Sequence, residues 1–297
     1  MSERRRPSSP DPSTSALNRS SIVLRRGRAI DFGDGPVVMG IINVTPDSFS
    51  DGGLHFERNR AIDAAMTMVE CGVGIVDVGG ESTRPGAEPV ALSEELDRTI
   101  AVIQAIRSRS DIPISIDTMK AAVASEAIAA GADLVNDVTA LRFDPAMSAT
   151  VRDHGVPVIL MHMRGEPRTM QETINFRDVV SEVEEELKTF AASALAGGIA
   201  LDRLLVDPGI GFGKTFQQNL ELLASAGRLR SIAPVVIGAS RKAFIGRLTG
   251  RGSGAPRCAG SLAAAAAAAN AGVAIVRAHD VPETVDFLKV YCAIRSA

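Results

Sequence analysis

The chain has 297 residues, of which 45% are hydrophobic and 23% are charged, and its formal net charge is −3 at pH 7. These values are typical of a globular enzyme with a sizeable core. The small negative charge argues against a partner that is nucleic acid or an anionic membrane surface. The three cysteines are too few and too scattered for a disulfide framework or a zinc knuckle. No apolar segment reaches the ~18 residues of a membrane span, and we expect a cytoplasmic protein.

Residues 1–28 differ in composition from the rest of the chain. They are rich in Ser, Pro and Arg and show no hydrophobic periodicity, so they cannot bury enough apolar surface to become ordered. Organellar transit peptides are also rich in Ser and Arg, but Glu3, Asp11 and the prolines argue against the amphipathic helix of such a peptide. We expect a disordered tail over residues 1–28 and one catalytic domain over residues 29–297.

From Pro36 onward, short apolar segments alternate with amphipathic segments of helix length, which is typical of parallel βαβ units. The eight predicted strands cover residues 37–43, 74–79, 113–117, 133–137, 157–162, 203–207, 234–239 and 273–279. The clearest predicted helices cover residues 59–71, 93–107, 119–130, 176–196 and 261–271. Strict alternation, with no G-x-G-x-x-G turn before the first helix, favours an α/β fold of the closed (β/α)₈ TIM-barrel type over an open sheet.

Nearly every predicted strand ends at a polar side chain. In a barrel of parallel strands these ends share one rim, where the loops converge. The polar positions are Asn43, Glu81 to Arg84, Asp117, Asn136, Asp137, His162, Asp207, Ser240 to Lys242, Arg277 and His279. Helix capping explains some of them, above all Asp137 and the nearby Asp144. Lys242, Arg277 and His279 cannot cap a helix N-terminus, so the rim as a whole is predicted to bind a ligand.

One group of rim residues suits a heterocycle. Asp117, Asn136 and Asp207 offer hydrogen-bond acceptors and an amide, which match a ring with N–H donors and acceptors. The glycines of residues 207–214 allow the backbone to approach a flat ligand closely. This segment lacks the G-x-x-x-x-G-K-[ST] spacing, so a nucleotide-binding P-loop is not predicted.

A second group suits phosphate. Lys242, Arg277 and His279 are donors for phosphate oxygens. Asn43 could contact Mg²⁺ on a pyrophosphate, because Mg²⁺ favours few protein oxygens together with substrate phosphates. The other histidines have no second His or carboxylate at metal-ligand spacing and are read as surface or packing residues. The rim therefore predicts a polar heterocycle joined to a phosphate group.

Two segments are predicted to form mobile loops over the mouth, residues 43–53 and 79–87. Both combine Gly and Pro with charged side chains, as substrate-covering lids often do. Phe49 could supply an apolar wall for an aromatic co-substrate. Asp51 and Arg84 could pair when the two loops close, since an exposed pair contributes little by itself.

Six segments carry a resemblance to a known family. They are residues 39–53 (MGIINVTPDSFSDGG), 80–86 (GESTRPG), 115–118 (SIDT), 136–137 (ND), 207–213 (DPGIGFG) and 240–242 (SRK). With these segments in order, the chain resembles the dihydropteroate synthases from Pro36 to about its C-terminus. The resemblance implies a (β/α)₈ barrel, usually a homodimer, that condenses 6-hydroxymethyl-7,8-dihydropterin pyrophosphate with p-aminobenzoate in folate biosynthesis. It also implies Mg²⁺ as cofactor and sulfonamides as inhibitors.

The resemblance implies roles for individual residues. The pterin would be held by Asp117, Asn136, Asp207 and Lys242. The pyrophosphate would be bound by Asn43, Thr83, Arg277 and His279. The p-aminobenzoate pocket would be bordered by Phe49, Arg84, Pro85 and Ser240. The catalytic residues would be Asp117, Lys242, Arg277, His279, Asp51 and Arg84. Asn43 would be the protein contact of Mg²⁺.

The sequence departs from the family at Ala243, where some members have a serine near the benzoate carboxylate. How this chain anchors that carboxylate is therefore open, and the dipole of the following helix is one candidate. Ala278 replaces a common valine and is expected to affect packing only.

Two other functions are compatible with a pterin-type barrel. A methyltransferase domain serving a corrinoid partner would not need the lid segments at residues 43–53 and 79–87. A non-catalytic barrel would be free to lose Lys242, Arg277 or Asn43. The presence of all these features favours the synthase.

Overall fold

The computed structural model describes residues 20–44, 51–84, 86–166 and 168–297, with the backbone alone for Arg26 and residues 51–57. At the N-terminal side, β1 (Ser21–Val23) and β2 (Ala29–Asp31) form an antiparallel hairpin in which Ile22 lies opposite Ile30. The predicted disordered tail over residues 1–28 is therefore too long, because residues 20–28 belong to this ordered hairpin. They are ordered because Ile22, Leu24 and Ile30 are buried.

Eight further strands alternate with helices along the rest of the chain. The strands are β3 (Val37–Asn43), β4 (Ile75–Gly79), β5 (Ile114–Asp117), β6 (Leu134–Asp137), β7 (Val158–Met161), β8 (Leu204–Asp207), β9 (Val236–Ile237) and β10 (Ile275–Ala278). The helices are α1 (Asp51–Glu70), α2 (Leu92–Arg107), α3 (Ala121–Ala130), α4 (Met147–His154), α5 (Val179–Ala196), α6 (Phe216–Ala224), α7 (Ala243–Thr249), α8 (Cys258–Asn270) and α9 (Val281–Ser296).

The eight strands form one parallel sheet in the order β8-β7-β6-β5-β4-β3-β10-β9. The two ends of this order meet, because Val206 on β8 bridges Val235 next to β9 and its N–H donates to the Pro234 carbonyl at 3.1 Å. Joining first and last strands removes the unpaired edges of an open sheet. The predicted (β/α)₈ barrel is confirmed.

Two apolar layers hold the barrel together. Alternate strand residues such as Val76, Val135 and Val206 face outward and pack with the helices in the main core. The residues between them face inward, and near the strand N-termini they pack beneath the β1–β2 hairpin. This inner cluster comprises Ile22, Leu24, Ile30, Met39, Ile75, Leu134, Ile159, Leu205, Val236, Ala274 and Ile275.

Two predicted elements have different bounds in the structure. Helix α1 begins at Asp51, eight residues before the predicted start at residue 59, so the segment 51–53, predicted as loop from its glycine pair, continues into helix. Glycine lowers helix propensity only modestly, and the rest of the helix can override it. Strand β9 covers only Val236–Ile237 of the predicted segment 234–239. Across the described ranges, no helix has both the length and the apolar character to span a bilayer.

Candidate active site

Arg277 lies at the centre of the barrel mouth and joins three strands. From β10, its Nε donates to Asp77 Oδ2 on β4 and its Nη2 donates to Asp117 Oδ2 on β5, each at 2.6 Å. Asn136 on β6 donates from Nδ2 to the same Asp77 oxygen at 3.2 Å. The strand ends thus bring Arg277, Asp117 and Asn136 together, as the sequence predicted. Asp77, which links them, was not among the predicted residues.

Two buried polar atoms at this level have no hydrogen-bond partner among the described residues. They are Asp77 Oδ1 and Ser115 Oγ. Asp77 and Ser115 lie opposite each other on neighbouring strands and both side chains face the barrel interior. A buried acceptor and a buried hydroxyl without partners are costly, so this level of the mouth favours a polar ligand or an ordered water.

Asp207 and Lys242 form the opposite side of the mouth. Asp207 Oδ1 accepts a hydrogen bond from the Gly209 N–H at 2.7 Å. Lys242 Nζ lies 4.2 Å from the ring centre of Phe212, within the range of a cation–π contact. Gly209 has φ +68°, and a Cβ at this position would lie 2.0 Å from the His162 carbonyl oxygen, so only glycine allows this turn. The sequence prediction missed Phe212.

Burial sets the protonation of these groups near neutrality. It raises the pKa of Asp117 to about 7, against the opposing charge of Arg277. It raises the pKa of Asp207 to about 6, against the Gly209 hydrogen bond and Lys242. Burial and the charge of Arg277 lower the pKa of Lys242 to about 8. Burial alone would lower the pKa of Arg277, but Asp77 and Asp117 raise it above its usual value. Such shifted groups concentrated in one cleft are typical of a functional site.

His279 and Ser240 lie at the edge of the mouth. The His279 backbone N–H donates to Ser240 Oγ at 3.1 Å, and His279 Nδ1 lies 3.2 Å from the same oxygen. Burial, followed by the charges of Arg241 and Arg277, lowers the pKa of His279 to about 4. The imidazole is therefore neutral at physiological pH.

The loop between β4 and α2 carries two predicted residues, half-buried Thr83 and exposed Arg84. Arg84 lowers the pKa of both Lys242 and His279 by its charge. The base of this loop is fixed by Lys120, whose Nζ binds Glu81 and also Glu95 Oε2, the latter at 2.5 Å. The base of the loop is therefore tied down by two ion pairs, whereas Arg84 is exposed.

Some predicted residues cannot be placed. Phe49 and Pro85 lie outside the described residues, as does the side chain of Asp51. Asn43 ends β3 at the rim and its side chain is exposed. No described hydrogen bond or ion pair joins Asn43 or Thr83 to Arg277, so the structure brings these two to the rim without connecting them to the centre of the mouth.

The predicted capping residues do bind backbone. Asp137 Oδ1 accepts from the Thr139 N–H at 2.8 Å, within the turn after β6. Asp144 Oδ2 accepts from the N–H of Ala121 at 2.8 Å, and Ala121 is the first residue of α3. Asp144 Oδ1 also accepts from the N–H of Ala146 at 2.9 Å, directly before α4, so Asp144 contacts the N-terminal ends of both helices.

A buried lysine and histidine support the loop after β8, and the sequence prediction missed the lysine. Lys214 Nζ donates to the Phe212 carbonyl at 2.9 Å and to the His162 carbonyl at 3.2 Å, and it lies 3.1 Å from His162 Nδ1. His162 Nε2 lies 3.1 Å from Glu186. His162 is therefore fully buried, with polar contacts at both ring nitrogens. Two features of the sequence could have indicated the missed residues. Asp77 is a charged residue within an apolar strand segment, and Lys214 follows a run of glycines.

The donor chemistry of the rim fits a magnesium ion carried by a phosphate ligand. In the described ranges, no group of three or more His, Cys, Asp or Glu side chains is placed to enclose a metal ion. Mg²⁺ commonly uses few protein oxygens when substrate phosphates supply the others, and Asn43 presents an exposed side-chain amide at the rim.

Comparison with known proteins supports the same interpretation. Residues 39–279 match the model of the family described as "Pterin binding enzyme". A dihydropteroate synthase from Synechocystis sp. is 45% identical over 265 residues, which cover 89% of this chain and 92% of that protein.

Solved structures agree with the sequence comparison. A Xanthomonas albilineans dihydropteroate synthase with 4-aminobenzoic acid superposes with a TM-score of 0.87 at 44% identity, covering 94% of this chain and 100% of that one. A Yersinia pestis dihydropteroate synthase in a sulfonamide drug complex gives a TM-score of 0.86 at 42% identity, covering 93% and 100%. The chain therefore belongs to the pterin binding enzymes, and among them to the dihydropteroate synthase family.

Proposed function

We propose that the mouth of this barrel binds the pterin pyrophosphate and p-aminobenzoate side by side and transfers the pterin methylene group between them. As a dihydropteroate synthase, the chain is a transferase of folate biosynthesis. The residue assignment rests on one observation, which is that five polar side chains converge at one mouth. They are Arg277, Asp117, Asn136, Asp207 and Lys242. Charge and hydrogen-bonding capacity there match a polar ring joined to a diphosphate.

Asp117, Asn136, Asp207 and Lys242 hold the pterin ring in this proposal. The two carboxylates accept from the ring and amino N–H groups, the Asn136 amide pairs with a ring edge, and the Lys242 ammonium donates to a ring acceptor. The burial of Asp117 and Asp207 supports this role, because each carboxylate regains hydrogen bonds when a donor-rich ring replaces water. Asp117 and Asp207 also disperse positive charge that develops on the pterin.

Arg277, His279, Thr83 and Asn43 bind the pyrophosphate. The bond between the pterin methylene carbon and the pyrophosphate oxygen breaks first, and the electron pair leaves with the pyrophosphate. Arg277 and His279 donate hydrogen bonds to the oxygens on which this charge develops. Magnesium, with Asn43 as its protein contact, would neutralise charge on the same leaving group.

The amine of p-aminobenzoate then attacks the methylene carbon, and the new C–N bond forms as the nitrogen releases a proton to solvent. An aniline nitrogen is already unprotonated near neutral pH, so no strong base is required. Phe49, Arg84, Pro85 and Ser240 border its pocket in this proposal, and Asp51 pairs with Arg84 when the loops close. The sulfonamide complex of the Yersinia relative supports the further proposal that sulfonamides bind this pocket.

We propose that the active form is a homodimer. Helix α9 carries an apolar stripe in which Val290 is 61% and Ile294 is 70% exposed, beside Phe287 and Tyr291, whose rings stack at 5.5 Å. The spacing i, i+3, i+4, i+7 places these residues on one face of the helix, and a second copy could cover it. We also propose a cytoplasmic location, which the three free cysteines support.

The proposed function is tested by incubating the purified chain with 6-hydroxymethyl-7,8-dihydropterin pyrophosphate, p-aminobenzoate and Mg²⁺. The expected result is one 7,8-dihydropteroate and one pyrophosphate for each pterin consumed, with loss of turnover when the metal is chelated. Release of pyrophosphate without dihydropteroate would contradict the proposal, as would methyl transfer to a corrinoid partner in place of condensation.

A further inference from the structure

The loops after β9 and β10 are joined by two pairs of polar residues. Ser240 Oγ contacts both the backbone N–H and Nδ1 of His279. One residue further along each loop, Arg241 pairs with the buried Asp280, with Nε donating to Oδ2 at 3.1 Å. Consecutive residues of one loop thus bind consecutive residues of the other, which fixes the relative position of Ser240 and His279.

The backbone around Ser240 is held rigidly. Arg241 has φ 59°, a left-handed conformation that non-glycine residues rarely adopt. Its N–H donates to Ser261 Oγ at 3.0 Å and its carbonyl accepts from Arg257 Nη1 at 3.0 Å. A strained residue persists only where surrounding contacts enforce it, and such residues cluster at functional sites. The backbone that follows Ser240 is therefore held in place by the fold.

The hydrogen bonds of Ser240 determine the tautomer of His279. Ser240 Oγ accepts from the His279 backbone N–H and has a single proton of its own to donate. Ser240 is only 8% exposed, and among the described residues Nδ1 of His279 is the one acceptor that contacts its Oγ. If Nδ1 carried the ring proton, the hydroxyl proton would have no acceptor among the residues that the structure describes, which is unfavourable for a buried group. The hydroxyl therefore donates to Nδ1, and the proton of the neutral ring lies on Nε2.

The other edge of the ring is suited to an anion. No hydrogen bond among the described residues involves His279 Nε2. Burial and the charges of Arg241, Arg277 and Arg84 lower the pKa of His279, and the same cations attract anionic oxygens to the ring. An N–H at Nε2 would donate to such an oxygen, whereas a bare Nε2 would repel it.

We propose that Ser240 is a positioning residue that holds His279 in the Nε2–H tautomer, so that the neutral ring donates a hydrogen bond to a phosphate oxygen of the substrate. The inference rests on the proposed function for the identity of that substrate. It leaves Ser240 at the border of the p-aminobenzoate pocket, with its hydroxyl proton directed to His279 and not to that substrate.

The unmodified protein gives the first test. The chain has four histidines, and ¹⁵N labelling of their rings allows the protonated nitrogen of each to be identified by long-range ¹H–¹⁵N correlation, with assignment by a His279→Gln variant. We expect His279 to show a protonated Nε2 and an unprotonated Nδ1 near pH 7. A protonated Nδ1 would overturn the proposal, and this readout does not depend on whether the chain makes dihydropteroate.

Titration with inorganic pyrophosphate gives the second test. Ser240→Ala is expected to weaken pyrophosphate binding about tenfold, the loss of one oriented hydrogen bond to a charged group, and Ser240→Thr is expected to restore it. His279→Gln, which keeps a donor at the ε position, should bind pyrophosphate more tightly than His279→Asn, whose donor lies at the δ position. The reverse order for these two variants would overturn the proposal.

A matched control is available outside the mouth. Ser125 Oγ lies 3.2 Å from His154 Nε2 between α3 and α4, so Ser125→Ala removes a hydroxyl from another histidine. We expect it to leave pyrophosphate binding unchanged. An equal loss in Ser125→Ala and Ser240→Ala would show a general effect on folding and would contradict the proposal. If pyrophosphate fails to bind even the unmodified chain, the proposed function fails, while the ring spectrum still decides the tautomer.

Discussion

The two ends of the barrel interior differ in polarity although the same strands build both. At the N-terminal end the inward residues are apolar and are covered by the hairpin, and two residues further along four of these strands the inward residue is polar or charged. The pairs are Ile75 and Asp77, Leu134 and Asn136, Leu205 and Asp207, and Ile275 and Arg277. Two residues of strand span about 7 Å. The change from packed core to ligand-binding mouth therefore occurs within one layer of side chains.

The apolar base and the polar mouth of the barrel have different roles. The apolar base excludes water and stabilises the fold. It also provides a rigid, low-dielectric floor on which Arg277 and its two carboxylates keep their positions and interact strongly. We therefore expect substitutions in the base to change stability with little effect on kinetics, and substitutions in the mouth to change kinetics first.

The largest effect is expected for Arg277→Ala. Loss of its guanidinium removes a donor to the pyrophosphate and should lower kcat about a hundredfold. It also leaves Asp77 and Asp117 without a counter-ion, which costs about 3 kcal/mol of folding free energy. Steady-state kinetics and urea unfolding measure the two effects. Arg277→Lys keeps the positive charge but cannot donate to Asp77 and Asp117 from two guanidinium nitrogens. Compared with Arg277→Ala, it should restore more of the stability than of the turnover. A kcat within twofold of the parent for Arg277→Ala would refute this role.

A change in the base is expected to do the opposite. Leu134 is fully buried beneath the hairpin, and Leu134→Ala should lower the free energy of unfolding by about 3 kcal/mol through lost burial and the cavity left behind. KM and kcat should stay within twofold of the parent at a temperature where both proteins are folded. If kcat fell together with the free energy of unfolding, the base and the mouth would not have separate roles in stability and catalysis.

Lys214→Met tests the boundary between the base and the mouth, because this lysine supports the mouth without facing the ligand. The substitution keeps most of the buried volume but leaves the carbonyls of His162 and Phe212 without their donor, which should cost about 2 kcal/mol of stability. KM for the pterin substrate should rise as the Phe212 loop loosens. Lys188→Met, which removes an exposed pair with Glu184, should cost under about 1 kcal/mol. Equal losses in the two variants would contradict the supporting role.

The smallest expected effect is the pH dependence of kcat/KM for the pterin substrate. The acid limb should fall between pH 6 and 7, because Asp207 and Asp117, with pKa values of about 6 and 7, gain protons below that range and stop accepting from the ring. The alkaline limb should fall near pH 8, where Lys242 loses its proton. Such limbs report groups of the free enzyme. Asp207→Asn should remove its part of the acid limb, and an acid limb below pH 5 would contradict the assignment.

The sequence was sufficient for the barrel and for most of the mouth, because alternation locates the strands and strand ends share one rim. The short apolar segment typical of a strand predicted β3 with its observed bounds, Val37–Asn43. Other features depend on contacts between distant residues. Asp77 shares a strand face with apolar neighbours. Its role depends on a hydrogen bond from Arg277, which is 200 positions away in the sequence. The hairpin at residues 20–31 was missed because its order comes from the barrel floor that it covers.

The most direct test of the account is a crystal structure of the chain with 6-hydroxymethyl-7,8-dihydropterin pyrophosphate. We expect the ring to lie between Asp117, Asn136 and Asp207, with the diphosphate against Arg277 and the Nε2 edge of His279. A ligand bound elsewhere on the barrel, or a ring turned so that the diphosphate lies toward Asp207, would contradict it.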